Sequence, residues 1–224
     1  MKTINNYIEH TLLKPDSTKD DIIKLCKEAV EHKLYGVCVP PYFVQLAKKE
    51  IKKSNVKIIS VIGFPFGYDT VASKVEETKK AIISGADEID MVINVAAFKS
   101  GDDATVLNDL QAVIMACHLQ NKIAKVIIET AYLTKEEIEK ACRMCVESDA
   151  DFVKTSTGFA SRGASIEDIE IMRKVLPTKI KIKAAGGIRD RKTAEDFIKA
   201  GADRIGTSAG VAIVGTTDEA ALNA

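Results

Sequence analysis

At 224 residues and 24.3 kDa, the chain exceeds the commonest domain size yet falls within the range of one α/β barrel, which starts at roughly 200 residues. It is 46% apolar and 29% charged, with 32 acidic residues against 32 basic ones, enough to bury a full core beneath a mixed surface. No charge excess points to nucleic acid or to an anionic membrane, so neither is expected as a partner.

The opening MKTINNYIEHTLLKPDSTKDD lacks the continuous apolar stretch of a signal peptide, and no later segment approaches the ~18 uninterrupted apolar residues of a membrane span. A cytoplasmic location is the expectation. The five cysteines, an odd number, fit a reducing compartment better than a disulfide framework, and all are expected as free thiols.

In chain order, apolar runs begin at Ile8 (IEHTLL), Tyr35 (YGVCV), Lys57 (KIISVIG), Glu88 (EIDMVIN), Lys125 (KVIIET), Asp151 (DFVKTS), Lys181 (KIKAAG) and Arg204 (RIGTS). These are eight candidate strands. They are short, rich in Val and Ile and mostly without polar alternation, as suits strands packed on both faces. Between them lie amphipathic stretches with helical spacing: Ile22, Cys26, Ala29 and Val30; Leu107, Leu110, Ile114 and Cys117; Ile138, Ala141, Cys142 and Cys145. Thr134 with Glu137 three residues on reads as a capping box at a helix start.

Ser84-Gly85-Ala86-Asp87, Ser148-Asp149-Ala150-Asp151 and Ala200-Gly201-Ala202-Asp203 form a weak repeat that ends a helix and leads into a strand. Strand-helix units of roughly 20 to 37 residues, with no Pro-, Gly- or Ser-rich linker, predict a closed (β/α)8 TIM barrel of α/β class, one domain over residues 1–224. The alternative is a doubly wound open sheet. That fold would be expected to carry a Gly-rich dinucleotide fingerprint after its first strand, and none is present.

Barrel active sites sit at the C-terminal ends of the strands, so polar residues inside apolar runs are informative. Asp90, Lys154 and Lys183 interrupt the fourth, sixth and seventh runs. Taken singly, each lysine reads as a strand-edge charge or a buried ion pair. Two lysines on adjacent strands would repel, and burial disfavours the ammonium, so a lysine pKa is expected to fall from ~10.4 toward ~7. A neutral amine attacks carbonyls, and a nearby carboxylate can move the protons of imine formation. The set predicts a Schiff-base site.

Glycine-rich turns follow three late strands: Thr157 and Gly158 after Lys154, Gly186 and Gly187 after Lys183, and Gly206 with Ser208 at the last strand. Such turns aim backbone amides at an anion, and barrels commonly hold phosphate after the seventh and eighth strands. Ser208 and Thr157 are expected to add hydroxyl donors.

From Ile8 to about Val214 the chain resembles the class I deoxyribose-phosphate aldolases. The resemblance is carried by IEHTLLKP from Ile8, GADEIDMVIN, FVKTSTGF, KIKAAGGIR and RIGTSAG. It implies reversible cleavage of 2-deoxyribose 5-phosphate to glyceraldehyde 3-phosphate and acetaldehyde. It assigns Lys154 as the Schiff-base lysine, Lys183 as the second lysine, Asp90 as the proton-relay aspartate and RIGTSAG as the phosphate-binding turn. Glu9, Thr11 and Cys38 become candidate pocket residues; no metal and no organic cofactor are implied, and a homo-oligomer is suggested. The chain departs from the family in having Glu9 where aspartate is common, Ala209 where a second serine is common, and ALNA in place of a terminal tyrosine.

Competing readings are another Schiff-base sugar-phosphate aldolase, such as a transaldolase-like barrel, and a silent phosphate-binding barrel. The paired Lys154 and Lys183 favour the first reading over both. Cys142-x-x-Cys145 has a redox or zinc spacing but lies in a helical pattern without a second Cys or His pair, so core packing is expected. His10 is a pocket candidate through its motif, whereas His32 and His118 fall near helix ends.

Overall fold

The computed structural model describes residues 3–215, so the ALNA terminus lies outside the described residues. Eight parallel strands close on themselves: β1 (Ile8–Thr11), β2 (Gly36–Val39), β3 (Lys57–Ile62), β4 (Glu88–Val92), β5 (Ile123–Ile127), β6 (Phe152–Lys154), β7 (Lys181–Ala185) and β8 (Arg204–Thr207). Pairing of β1 with β8, with Glu9 opposite Gly206, completes the (β/α)8 barrel and excludes the open sheet. Each candidate run holds one strand. β5 begins at Ile123, ahead of the run read from Lys125, and β6 is only three residues long.

The helices are α1 (Lys19–Glu31), α2 (Val44–Glu50), α3 (Val71–Ser84), α4 (Val95–Lys99), α5 (Asp103–His118), α6 (Lys135–Glu147), α7 (Ile166–Val175), α8 (Arg191–Ala200) and α9 (Gly210–Gly215). The Thr134–Glu137 capping box opens α6, and Thr18 with Asp21 and Ser165 with Asp168 do the same for α1 and α7. α1 buries Ile22, Leu25, Cys26 and Ala29, while Val30 turns partly to solvent. α6 buries Ile138, Ala141, Cys142 and Cys145, so the Cys-x-x-Cys pair packs in the core. All five cysteines are free and buried. Among the described residues no helix is long and apolar enough to cross a membrane.

The weak repeat has a physical function at the base of the barrel. Gly85 (φ 116°), Asp149 (φ 56°) and Gly201 (φ 115°) take the left-handed conformation that ends α3, α6 and α8. The aspartate two residues later then reaches back to the preceding strand. Asp87 accepts from the Ile58 amide at 3.0 Å, Asp151 from the Ala124 amide at 2.8 Å and Asp203 from the Ile182 amide at 2.9 Å. These clasps tie β3 to β4, β5 to β6 and β7 to β8. Three residues beyond each aspartate stand Asp90, Lys154 and Gly206, so the clasps set the height of one layer inside the barrel.

Most of the core lies between the strands and the helices. A separate small cluster of Cys38, Ile59 and Val61, flanked by Leu13 and Phe64, forms the apolar wall on the β2–β3 side.

Candidate active site

Alternation along a strand sends residues i and i+2 to one face, and on β4 to β8 that inner face carries charge. Register places Asp90 beside Lys125 and Lys154 beside Lys183. Asp90 is the hub: Oδ1 accepts from Lys125 Nζ at 2.8 Å, and Oδ2 accepts from Lys154 Nζ at 2.9 Å and from Lys183 Nζ at 2.7 Å. The structure thus brings together the three residues expected from the sequence. It adds a third lysine, Lys125, which in the sequence only opens an apolar run.

Around the hub, Lys183 donates to Glu9, and Lys125 pairs with Glu88 at 2.6 Å. Glu88 accepts from the Tyr35 hydroxyl, and the Arg204 guanidinium lies 3.4 Å from the centre of the Tyr35 ring. Four cations, Lys125, Lys154, Lys183 and Arg204, face three carboxylates, Glu9, Glu88 and Asp90. Among the described residues Lys154 is bonded to Asp90 alone, and it is 2% exposed, whereas Lys125 and Lys183 are fully enclosed. Of the three lysines, Lys154 is therefore the least enclosed and has the fewest carboxylate partners among the described residues.

Burial works against the charged forms here, but the ion pairs outweigh it. Asp90 is held well below the usual carboxylate range by Lys125, Lys154 and Lys183. Asp90 and Glu9 raise Lys183, and Asp90, Glu9 and Glu88 raise Lys125 well above ordinary lysine. The expectation that crowding lowers the lysines fails for Lys183, because the interleaved carboxylates dominate the repulsion. Burial pushes the Tyr35 hydroxyl up to about 12, helped by Glu88.

The pocket candidates divide. Glu9 is fully buried against Lys183, in the floor of the site rather than on its wall. Half-buried Thr11 donates its hydroxyl to the Glu9 carbonyl at 2.9 Å. Cys38 is buried in the apolar wall within electrostatic reach of Lys183, Asp90 and Lys154, and burial raises its thiol pKa. His10 pairs with Glu28 of α1 at 2.9 Å and lines a cavity together with Ser208.

The turns also divide. Gly158 and Gly187 are exposed at φ 91° and 81°, with nothing within 4 Å of where a Cβ would stand, so their backbones face open space. Gly186 (φ 85°) admits the close approach of Gly163, whose Cα lies 2.8 Å from its hypothetical Cβ. Ser208, just past β8, is exposed. Two expectations need correction. Thr157 donates its hydroxyl to Glu129 and accepts from the Phe159 amide, so its hydrogen-bonding is already taken up. Gly206 lies within β8, where a side chain would come within 3.0 Å of Lys183 Cε; its role is to make room for that lysine. The Ala209 amide donates to Thr207 rather than outward.

A family model described as DeoC/LacD family aldolase matches residues 5–216. A protein of Thermococcus gammatolerans named deoxyribose-phosphate aldolase is 54% identical, over 94% of this chain and 95% of its own. One of Thermococcus kodakarensis with the same name is 53% identical, over 97% and 99%. The solved structure of a tetrameric deoxyribose phosphate aldolase from Aeropyrum pernix superposes with a TM-score of 0.90 at 28% identity, covering 97% of this chain and 92% of that one. With the family model spanning nearly the whole barrel and half the residues shared with these relatives, the chain belongs to the DeoC/LacD aldolase family.

Proposed function

We propose that the protein reversibly cleaves 2-deoxy-D-ribose 5-phosphate to D-glyceraldehyde 3-phosphate and acetaldehyde through a Schiff base on Lys154. The observation that carries this reading is the sharing of one Asp90 oxygen by Lys154 and Lys183 at the barrel mouth. Lys154, nearest the opening, attacks the sugar aldehyde as an amine; a proton reaches the departing hydroxyl and water leaves, giving the iminium. Loss of the C3 hydroxyl proton breaks the C2–C3 bond, and its electron pair passes into the iminium as an enamine. Protonation at C2 and hydrolysis release acetaldehyde and restore the lysine. Asp90, with cationic Lys183 beside it, accepts and returns these protons.

The iminium is the electron sink, so this chemistry calls on no metal. The phosphate is assigned to Gly158, Gly186, Gly187 and Ser208, all on the turns after β6, β7 and β8. A cytoplasmic setting, one domain over residues 1–224 and a homo-oligomeric assembly complete the proposal, the last supported by the tetramer of the Aeropyrum pernix relative.

The test is product analysis by NMR after incubation with 2-deoxyribose 5-phosphate. Acetaldehyde and glyceraldehyde 3-phosphate in equal amounts are expected from the wild type, and none above background from Lys154→Leu. Unphosphorylated 2-deoxyribose should lose at least about 100-fold in kcat/KM, since each hydrogen bond to a charged group is worth about 1.5–3 kcal/mol. An inactive wild type, or Lys154→Leu with undiminished activity, would overturn the reading.

A further inference from the structure

Just past the end of β5, Glu129 combines features that do not occur together without cause. It is a non-glycine residue with φ 52°, a left-handed conformation disfavoured for side-chain-bearing residues, and the residue is only 2% exposed. Its Oε2 accepts from the Thr157 amide at 3.1 Å and from the Thr157 hydroxyl. The Thr157 hydroxyl in turn accepts from the Phe159 amide at 3.1 Å. Of three successive amides in this turn, the first and third are thus held by the Glu129–Thr157 pair. The middle one, Gly158, has no such bond among the described residues and sits on the exposed glycine.

The residues beside Glu129 fix the rest of the same loop. The Ile128 amide donates to the Lys154 carbonyl at 3.0 Å and the Thr130 amide to the Thr155 carbonyl at 2.9 Å. Farther along, Arg162 reaches the Thr130 carbonyl at 2.8 Å and pairs with Asp168. Residues 128–130 therefore brace the loop from the Schiff-base lysine to the start of α7, and only Glu129 does so through a charged side chain.

We propose that Glu129 is a positioning residue for anion recognition: its carboxylate folds the 157–159 turn so that, of the three amides in this turn, that of Gly158 is the one presented to the substrate phosphate. This rests on the aldolase reading above. A buried negative charge near an anion site is otherwise a cost, so its retention requires that the order it imposes outweigh its repulsion. Among the described residues no hydrogen bond or ion pair joins the Glu129 carboxylate to Lys154, so its effect should fall on the phosphate and not on the Schiff base.

Glu129→Gly removes the carboxylate while relieving the left-handed strain, and Thr157→Val removes the other half of the pair. Each is expected to raise KM for 2-deoxyribose 5-phosphate by about tenfold or more, the worth of one charge-assisted hydrogen bond. The inhibition constant of inorganic phosphate should rise by a similar factor. Cleavage of unphosphorylated 2-deoxyribose should change less than about twofold, and borohydride trapping of acetaldehyde on Lys154 should match the wild type. Glu129→Gln keeps an oxygen acceptor and should return KM to within about threefold of the wild type. Equal losses on both sugars, or an unchanged KM in both variants, would overturn the proposal. A wild type that forms no adduct or ignores the phosphate refutes the aldolase reading instead, and the two failures are read from different proteins.

Discussion

Replacing Lys125 by methionine tests whether the charge cluster is a single interdependent unit. Lys125 is fully buried and bridges Glu88 at 2.6 Å and Asp90 at 2.8 Å, with Glu9 at 3.6 Å. At an effective dielectric of about 20, each of the two short pairs has a gross attraction of about 6 kcal/mol, most of which desolvation cancels. Removing one partner restores none of that desolvation and leaves Glu88 and Asp90 under-neutralised, so a loss of about 3–5 kcal/mol is expected. For a domain of this size that is a fall in Tm of about 6–20 °C. Thermal and urea unfolding measure it. The double variant Lys125→Met with Glu88→Gln should recover part of the loss, because one stranded charge is gone, giving a coupling energy of at least about 1 kcal/mol. A single-variant loss below about 1 kcal/mol, or strictly additive effects, would show that the cluster is not interdependent.

Lys183→Leu removes the donor that shares an Asp90 oxygen with Lys154, leaving Asp90 freer to hold Lys154 as an ion pair; activity near neutral pH should fall by about 100-fold or more. Partial recovery at higher pH is expected, and a wild-type pH profile in the variant would refute the assignment. Asp203→Ala should cost about 1–3 kcal/mol by stranding the Ile182 amide, read by urea unfolding, with no change in the borohydride adduct. In alkali, Lys125 and Lys183 have folded pKa values above their unfolded value of 10.5, so their contribution is complete below that pH and is lost as pH rises through the folded values. Stability measured against pH should decline above about 10.5, and less steeply in Lys125→Met.

The barrel was legible because each Val- and Ile-rich run marks a strand and the repeated Gly- or Asp-led caps mark the returns. Asp90, Lys154 and Lys183 stood out as charges interrupting such runs. Lys125, Glu88 and Arg204 open their runs and so read as strand edges; the available signal was parity, since Glu88 lies two residues before Asp90 and must share its face. Tyr35 gave no signal of its own, because its partner arrives from another strand. Thr157 and Gly206 are singled out by the composition of their turns. That composition does not reveal that Glu129 takes the first, or that Lys183 needs the space at the second. Glu129 looked like the polar end of an apolar run, and only its conformation and bonds distinguish it.

The most direct test of the account is incubation with acetaldehyde and borohydride, followed by peptide mass spectrometry. Among the described residues Lys154 has only one carboxylate partner and is the least enclosed of the three lysines, whereas Lys125 and Lys183 are held as ammonium ions by Asp90 and Glu9. One ethyl group is therefore expected, on Lys154 and on no other lysine of the cluster. An adduct on Lys183 or Lys125 with Lys154 unmodified would contradict the account.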